Sequence, residues 1–201
     1  MKRLILGFCG AAGAGKDTAA GFILDYAKRC GTARQIAFAD PMRDMLLALG
    51  VPKAYMVERG LKEKPVPGFG RSYRQLAQTL GTEWGRDLQG PNFWVDVFAA
   101  RVEKSTEDII LVTDVRFPNE EAWLRANGGL LVRVVRPGVA PVAAHASEGY
   151  VDQFEPWAEL RNEGSFEDLN LAAVGLLCKA ISQRVHDRNK QVTGPIDGIG
   201  Y

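Results

Sequence analysis

The sequence is poor in the residues that build disulfide frameworks and metal centres. Its 201 residues include three cysteines, Cys9, Cys30 and Cys178, and two histidines. The cysteines are far apart and form no Cys-x-x-Cys pair, so we interpret them as small buried apolar side chains in a reducing compartment. Two histidines are too few for a His-rich metal site. We therefore expect a cytoplasmic protein.

An excess of one charge and a long hydrophobic run are also missing. The 25 basic and 24 acidic residues nearly cancel, so no global field attracts nucleic acid or an anionic membrane, and any anion site must be built locally. No apolar run is long enough to cross a bilayer. The run at 4–8 is too short for a signal peptide and leads into a glycine loop, so we interpret it as a buried strand. We expect neither a nucleic-acid nor a membrane partner.

The sequence does have short apolar runs that alternate with amphipathic segments, a pattern typical of an α/β fold with a parallel sheet. Its length suits one domain. We expect strands at 4–9, 35–39, 109–113, 130–135 and 158–161. Apolar stripes at helical spacing predict helices, among them Ala19, Phe22, Ile23, Tyr26 and Ala27, and then Met42, Met45, Leu46 and Leu49. Residues 165–168 predict a capping box that opens the last helix.

Two segments interrupt this alternation. Residues 60–72 are rich in proline, glycine and charge and are interpreted as a loop. Residues 137–156 hold three prolines and two glycines. Loops of that length in a compact domain are usually functional, and we interpret this one as a lid. The polar tail after Val185 is expected to be loosely held.

The segment Gly10–Thr18 follows a predicted strand and opens a predicted helix, which is the context that a Walker A phosphate loop requires. Small residues let main-chain N–H groups wrap around phosphates, and the helix adds its positive dipole end. Lys16 supplies a full charge to the β- and γ-phosphates. The predicted ATP-binding residues of this segment are Gly10, Ala12, Gly13, Ala14, Gly15, Lys16, Asp17 and Thr18.

Asp17 stands where serine or threonine usually coordinates magnesium. A carboxylate there could hold Mg²⁺ directly or through water, or could orient or deprotonate an attacking group. The alternative is a simple acidic residue at a helix N-terminus. We favour a metal or catalytic role because a carboxylate beside phosphates is otherwise repulsive. The pattern does not decide between metal and substrate.

Two more predicted strands lead into acidic residues. Asp114 is expected to approach Mg²⁺ from the strand beside the phosphate loop, and Arg116 follows it at the edge of the sheet where ligands bind. The alternative is an Asp–Arg pair that only fixes the turn. Asp40 is predicted either to contact a sugar hydroxyl, a base or an arginine, or to cap a helix with Pro41 at its first position. The two roles of Asp40 are compatible.

Cations are concentrated between residues 43 and 86. We interpret most of them, including Arg43 and Lys62, as solvated, and choose the arginines that flank an aromatic and amide segment. An arginine fork, an amide and a ring match the phosphate, base edge and base face of a nucleoside monophosphate. The chosen residues are Arg71, Arg74, Gln78, Trp84 and Arg86.

The lid predicted at 137–156 contains no lysine or arginine. A lid cation must therefore come from Arg133 or Arg136 at the preceding strand end. His145 in the lid is weak evidence by itself. After the last strand, Asn162 and Gly164 could frame the adenine of ATP, and an ordinary strand-to-helix turn is the alternative.

These motifs together resemble the deoxynucleoside monophosphate kinases of tailed bacteriophages, within the P-loop nucleotide-kinase superfamily. The resemblance spans residues 4 to about 180. Its most specific blocks are Leu-Gly-Thr-Glu-x-Gly-Arg and Asp-Val-Arg-Phe-Pro-Asn-Glu. The residues that carry it are 13–18, 38–41, 74–76, 78–86, 114–120, His145, Ser147, Glu148, Asn162 and Gly164.

The resemblance implies a three-layer P-loop kinase fold, with a five-stranded parallel sheet of order 2-3-1-4-5 and helices on both faces. It implies one domain, 1–201, with a nucleoside-monophosphate-binding insertion at 40–95 and the lid at 137–156. The reaction would be ATP + dNMP → ADP + dNDP, with ATP and Mg²⁺ as cofactors and small nucleotides as partners. It admits a homodimer, and a phage-encoded protein would work in the host cytoplasm.

Site roles follow from the motifs and the resemblance together. Mg²⁺ is assigned to Asp17 and Asp114, directly or through water. Catalysis is assigned to Lys16, Asp17, Arg116 and Arg136. ATP binding is assigned to the phosphate loop with Asn162 and Gly164. Binding of the dNMP is assigned to Asp40, Arg71, Arg74, Gln78, Trp84, Arg86, Asp114, His145 and Glu148.

Two other functions share the phosphate loop. A dephospho-CoA kinase-like enzyme would have the same ATP half, but the cations and amides between Arg74 and Arg86 suit a nucleotide better than a pantetheine arm. A nucleotide-dependent switch protein is less favoured because the guanine-specificity motif Asn-Lys-x-Asp does not occur. The sequence does not predict which base is accepted or whether ribose is rejected.

Overall fold

The computed structural model describes residues 3–58, 60–139 and 148–192. Five strands form one parallel sheet of order β2-β3-β1-β4-β5, as predicted. The strands are β1 Leu4–Cys9, β2 Ala33–Gln35, β3 Ile109–Val112, β4 Leu130–Val135 and β5 Ala158–Arg161. The helices are α1 Lys16–Cys30, α2 Asp40–Ala48, α3 Lys53–Val57, α4 Tyr73–Gln78, a π-helix at Thr79–Gln89, α5 Phe93–Glu103, α6 Pro118–Ala126, α7 Glu148–Val151 and α8 Phe166–Val192.

Helices cover both faces of the sheet because the side chains of β1 alternate between two cores. Leu6 and Phe8 pack on one face with the buried residues of α1 and α8. Ile5 and Cys9 pack on the other with those of α5 and α6. Strands buried on both sides are characteristic of parallel sheets. The predicted three-layer arrangement is confirmed.

A third, smaller core lies in the segment predicted as an insertion. Leu46 of α2, Met56 of α3 and Tyr73 of α4 pack there with Val51 and Val66. The loop predicted at 60–72 consists mainly of turns, closed by one bridge between Pro65 and Ser72. This core positions α4 and the π-helix beside the sheet.

The second strand was predicted at 35–39 but lies at Ala33–Gln35. The apolar side chains of Ile36 and Phe38 are buried, which explains the strand-like pattern. The carboxylate of Asp114 accepts hydrogen bonds from the main-chain N–H groups of Phe38 and Ala39, at 2.8 and 3.0 Å. A side chain therefore replaces the neighbouring strand as hydrogen-bond partner, and the chain turns into α2.

Several apolar stripes are only partly buried. On α1, Ile23 and Ala27 are buried as predicted, whereas Tyr26 is 38% exposed. On α2, Leu46 is buried but Leu49 is 66% exposed, because α2 packs at the edge of the molecule against α4 and α5. The apolar stripe Leu76, Ala77, Leu80 and Trp84 predicts a helix, and the structure has α4 continuing into the π-helix Thr79–Gln89. The π geometry, with hydrogen bonds from residue i to i+5, was not predicted.

Smaller predictions can be checked in the same way. The capping box of α8 is confirmed, because Asp168 accepts from Ser165 N and Asp168 N donates to Ser165 Oγ. Of the cysteines expected to be buried, Cys9 is buried but Cys30 and Cys178 are exposed. None of the helices in the described ranges has the length and hydropathy needed to span a bilayer. The polar tail was expected to be loosely held after Val185, but residues 186–192 continue α8. Residues 193–201 lie outside the described residues.

Candidate active site

The phosphate loop lies between β1 and α1 and depends on glycine at two positions. Gly10 has φ 132° and Gly15 has φ 102°, in the region that favours glycine. A Cβ at Gly10 would lie 2.3 Å from the carbonyl oxygen of Val134, and one at Gly15 would lie 2.5 Å from Nδ2 of Asn162. The main chain of the loop is therefore packed closely against β4 and the end of β5.

Lys16 begins α1 and is held over the loop. Its Nζ donates to the carbonyl oxygens of Gly10 and Ala11, at 2.7 and 2.8 Å. Lys16 is buried, so its charge faces the loop and the adjoining pocket rather than bulk water. An ammonium in this position, at the positive end of a helix, favours an anionic ligand.

A pocket of about 210 Å³ opens at this loop. It brings together most of the residues predicted to bind ATP, and Arg136 with them. Gly10 and Ala14 belong to the loop but do not line the pocket: Gly10 faces Val134, and Ala14 is buried. Ala12 is exposed on the loop. The pocket is lined by Gly13, Gly15, Lys16, Asp17, Thr18, Arg136, Asn162, Gly164, Phe166 and Leu169.

Asn162 joins the end of β5 to the loop. Its Nδ2 donates to the carbonyl oxygen of Ala14 at 2.9 Å, and its main-chain N donates to Val135 O at 2.8 Å. The side-chain amide predicted to frame adenine therefore holds the phosphate loop. Asn162 nevertheless lines the pocket, where a residue near bound ATP was expected.

Asp114 follows β3 and is buried. Burial raises the pKa of Asp114, and the charge of Arg43 and the two N–H groups of Phe38 and Ala39 oppose the rise. Both oxygens serve as main-chain acceptors, so Asp114 braces the start of α2. Its predicted roles toward metal and dNMP stay predictions, and these contacts favour the structural alternative.

Asp17 fits a magnesium site better than Asp114 does. It is exposed and lines the pocket beside Thr18. Magnesium is usually held by one or two protein oxygens together with phosphates and water, so a dedicated protein cage is not needed. Among the described residues no group of three or more His, Cys, Asp or Glu side chains could hold a metal ion.

Asp40 is the first residue of α2 rather than its N-cap, which is Ala39. Its Oδ2 accepts from Ala37 N at 2.7 Å, and its Oδ1 accepts from Arg43 Nη1 at 2.8 Å. The predicted cap is thus displaced by one residue, because the carboxylate reaches back to the preceding turn. The predicted contact with an arginine is present.

Two cations that the sequence did not single out, Arg43 and Lys62, lie near two that were predicted for the site, Arg74 and Arg116. Burial lowers the pKa of Lys62. The positive charges of Arg43, Arg74 and Arg116 lower it further, and the carboxylate of Asp17 opposes the shift. The three arginines therefore lie within electrostatic range of Lys62, as does Asp17 of the phosphate loop, and we call Arg43, Lys62, Arg74 and Arg116 the acceptor cations. Arg43 and Lys62 were interpreted as solvated, and only the tertiary fold reveals their position.

Arg43 is anchored in this group by two carboxylates. Burial acts to lower the pKa of Arg43, but the negative charges of Asp114 and Asp40 outweigh it, so the pKa is raised. Its guanidinium therefore remains charged.

The residues chosen for the acceptor differ in their surroundings. Arg71 and Gln78 are exposed, and Arg74 pairs with Glu63. Trp84 packs against the rings of Phe93 and Trp94, with centroids 5.3 and 6.0 Å apart. Trp84 is half-buried, and its contact with a base stays a prediction.

Arg86 is enclosed by protein groups. Its Nη1 donates to Gly81 O at 3.2 Å, its Nη2 pairs with Glu120 at 3.1 Å, and its guanidinium lies 3.8 Å from the centroid of the Phe117 ring. Burial lowers the pKa of Arg86, and Glu120 opposes this shift. Arg116, whose main-chain N donates to Glu120, has an exposed side chain.

The two cations considered for the lid, Arg133 and Arg136, have different surroundings. Arg133 donates to the carbonyl oxygens of Val151 and Phe154, at 3.1 and 2.5 Å, so it holds the last part of the predicted lid. Arg136 is exposed and lines the pocket. His145 and the side chain of Glu148 lie outside the described residues.

A family model of deoxynucleotide monophosphate kinases matches residues 69–172, more than half of the chain. The chain belongs to this family. The match includes the π-helix, the loop after β3 and the end of β5, and it begins after the phosphate loop. The family predicted from the motifs is confirmed.

Curated relatives are similar over about half to three quarters of the chain. A protein of Acanthamoeba polyphaga mimivirus, provisionally named a deoxynucleotide monophosphate kinase, is 28% identical over 72% of this chain and 80% of its own length. The deoxynucleoside-5'-monophosphate kinase of Escherichia phage T5 is 27% identical over 66% and 78%. The deoxynucleotide monophosphate kinase of Escherichia phage RB69 is 34% identical over 49% and 41%.

Among solved structures, the APS kinase of Mycobacterium tuberculosis in complex with AMPPNP and APS is 14% identical and covers 88% of this chain and 98% of its own. Its TM-score of 0.46 is too low to argue from. The assignment to the kinase family depends on the family model and the curated relatives.

Proposed function

We propose that the chain transfers the γ-phosphoryl group of ATP to a deoxynucleoside monophosphate, giving ADP and a deoxynucleoside diphosphate. The observation that carries the proposal is the phosphate-loop pocket lined by buried Lys16, together with the acceptor cations, of which Lys62 interacts with Asp17 of that pocket. The pocket supports a triphosphate donor. Membership of the family supports a deoxynucleotide acceptor.

On the donor side, the main-chain N–H groups of the loop and the Lys16 ammonium bind the β- and γ-phosphates. Arg136, at the pocket wall, adds charge where negative charge spreads during transfer. Asp17 and Thr18 are the residues that would hold Mg²⁺, which when bound supplies neutralisation of phosphate charge. The wall formed by Asn162 and Gly164 borders the nucleoside end.

On the acceptor side, Arg43, Lys62, Arg74 and Arg116 attract the dianionic phosphate of the dNMP. The attacking oxygen is already anionic, so no general base is required. Catalysis then consists of placing the two phosphates in line and neutralising the charge between them. Because Lys62 interacts with Asp17, the two half-sites are near enough to share these cations.

The surroundings of the reaction follow from its chemistry. The free cysteines Cys9, Cys30 and Cys178 are compatible with a reducing compartment. ATP and deoxynucleotides are found in the cytoplasm, where we place the enzyme. We retain the homodimer as a proposal, which sedimentation analysis of the purified protein tests.

The direct test is a screen of the common dNMPs and NMPs with ATP-Mg²⁺, measured as ADP release. We expect turnover that depends on at least one dNMP, and no turnover above background in the Lys16→Ala variant with an unchanged circular dichroism spectrum. Absence of turnover with every nucleotide would reject the function and return the dephospho-CoA kinase-like alternative. Stimulation only by a protein partner would indicate a switch.

A further inference from the structure

One buried carboxylate, that of Glu120 on α6, joins three parts of the acceptor side. Its Oε1 accepts from Arg86 Nη2 at 3.1 Å, and its Oε2 accepts from the main-chain N–H groups of Arg116 and Phe117, at 2.8 and 3.1 Å. Glu120 is 3% exposed. It therefore acts on its protein partners rather than on a nucleotide.

Burial makes the charged form of Glu120 costly. Burial and the nearby Asp114 carboxylate raise the pKa of Glu120 to about 7, while the two N–H groups and Arg86 oppose the rise. These groups come from every element packed around it: Asp114 from the end of β3, Arg86 from the π-helix and the amides from the start of α6. A neutral side chain could accept from the N–H groups at the N-terminus of α6 at a lower desolvation cost than a carboxylate. The charge therefore indicates a function in holding Arg86.

The partners of Glu120 present surfaces toward the proposed acceptor. Glu120 accepts a hydrogen bond from the main-chain N–H of Arg116, and the side chain of Arg116 is one of the acceptor cations. Arg86 covers one face of the Phe117 ring, and the ring of Tyr150 on α7 lies 6.3 Å from it. The remaining aromatic surface can contact a nucleobase. Both a phosphate contact and a base contact thus depend on one carboxylate.

We propose that Glu120 is a positioning residue for the dNMP half-site, holding Arg116 and the Arg86–Phe117 stack in the geometry that binds the acceptor. This role rests on the proposed function. Substrate meets Arg116 and Phe117, and Glu120 fixes where these groups lie.

The test is Glu120→Gln, which keeps the size of the side chain but removes its charge. The amide NH₂ group of glutamine would also face the N–H donors that now bind the carboxylate. We expect KM for the dNMP to rise about tenfold, as for a lost charge-assisted hydrogen bond, and KM for ATP to change less than about twofold. The matched control is Glu121→Gln at the next position of α6, where the side chain pairs with Arg125. This control should keep both wild-type KM values.

A pH series gives a readout that a purely structural residue would not move. The phosphate of the dNMP also titrates, but it does so equally for both enzymes, so the ratio of their KM values isolates the protein. We expect the ratio of Glu120→Gln to wild type to be largest near pH 8 and to fall toward one near pH 6, where wild-type Glu120 takes up a proton. A ratio that does not vary with pH would contradict the proposal.

Arg86→Lys provides a second test should Glu120→Gln fold poorly, because it keeps the charge but loses the guanidinium fork. It should show the same rise in KM for the dNMP with KM for ATP retained. An unchanged KM for the dNMP in either folded variant, or equal rises in both KM values, would overturn the role of Glu120. A wild-type enzyme that phosphorylates no dNMP would instead reject the proposed function.

Discussion

At the scale of single residues, neighbours in three dimensions determine what a charge does more than its residue type. Arg86 and Lys62 lie in the same cation-rich stretch, and sequence reasoning favoured Arg86 as a ligand. In the structure Arg86 is enclosed by Glu120, Gly81 and Phe117. Lys62 instead lies among Arg43, Arg74 and Arg116 and senses Asp17 of the phosphate loop. Lys62 is therefore the better candidate for a substrate contact.

Replacing Lys62 with alanine tests that assignment. Loss of a charge-assisted contact to the acceptor phosphate should raise KM for the dNMP about 10- to 100-fold, with a much smaller effect on KM for ATP. The measurement is steady-state ADP release with each substrate varied in turn. Lys64→Ala, which removes the same charge from an exposed position two residues away, is the control. Equal effects of the two variants would argue against a specific contact by Lys62.

At the scale of helices and strands, the sequence predicted those whose signals are local. Residues 4–9, 130–135 and 158–161 are strands with the expected bounds. The second strand was misplaced because Ile36 and Phe38 are buried in a turn held by Asp114, an interaction between residues 76 apart. A helix was expected up to Trp84, but its π geometry was missed, since spacing along the chain does not show the packing on α5.

The two halves of the site differ in how far the sequence predicts them. The phosphate loop is one continuous segment, so its role could be predicted from residue order alone. The acceptor cations come from α2, a turn, α4 and the loop after β3. No spacing along the chain marks them as a group, and the Glu120 contacts link residues 34 apart. Only the fold brings them together.

The packing of the π-helix predicts a specific defect at Gly85. A Cβ there would lie 2.2 Å from Nε1 of Trp94, whose N–H donates to Gly81 O at 2.8 Å in the interior. Because Trp94 is buried and cannot move freely, Gly85→Ala should lower the free energy of unfolding by about 1–3 kcal/mol. Urea denaturation followed by circular dichroism measures this change.

Gly21→Ala on α1 is the matched control for Gly85→Ala. A Cβ at Gly21 would meet nothing within 4 Å, so alanine should raise the free energy of unfolding by about 0.5–1 kcal/mol through its higher helix propensity. Opposite signs for the two glycines are expected. A Gly85→Ala variant as stable as the wild type would mean that the π-helix shifts easily on α5.

At the scale of the whole molecule, the parallel sheet gathers both half-sites at one edge. The phosphate loop follows β1, Asp114 and Arg116 follow β3, Arg136 follows β4 and Asn162 follows β5. Ligands bind at the carboxyl ends of strands in open α/β sheets. The donor pocket is built on the sheet itself, whereas Arg43, Lys62 and Arg74 are carried by the peripheral segment with its own small core.

This division predicts that donor and acceptor stabilise the fold through separate residues. A ligand present at 100 times its Kd adds about 2.7 kcal/mol to the free energy of unfolding, which for a chain of this size raises Tm by about 5–10 °C. ADP-Mg²⁺ should produce such a rise in the wild type, and chelation of the metal by EDTA should reduce it. Lys16→Ala should lose the ADP effect but keep the rise caused by dNMP, and Lys62→Ala should do the reverse. Differential scanning fluorimetry measures all of these shifts, and loss of both in each variant would mean that the half-sites do not bind independently.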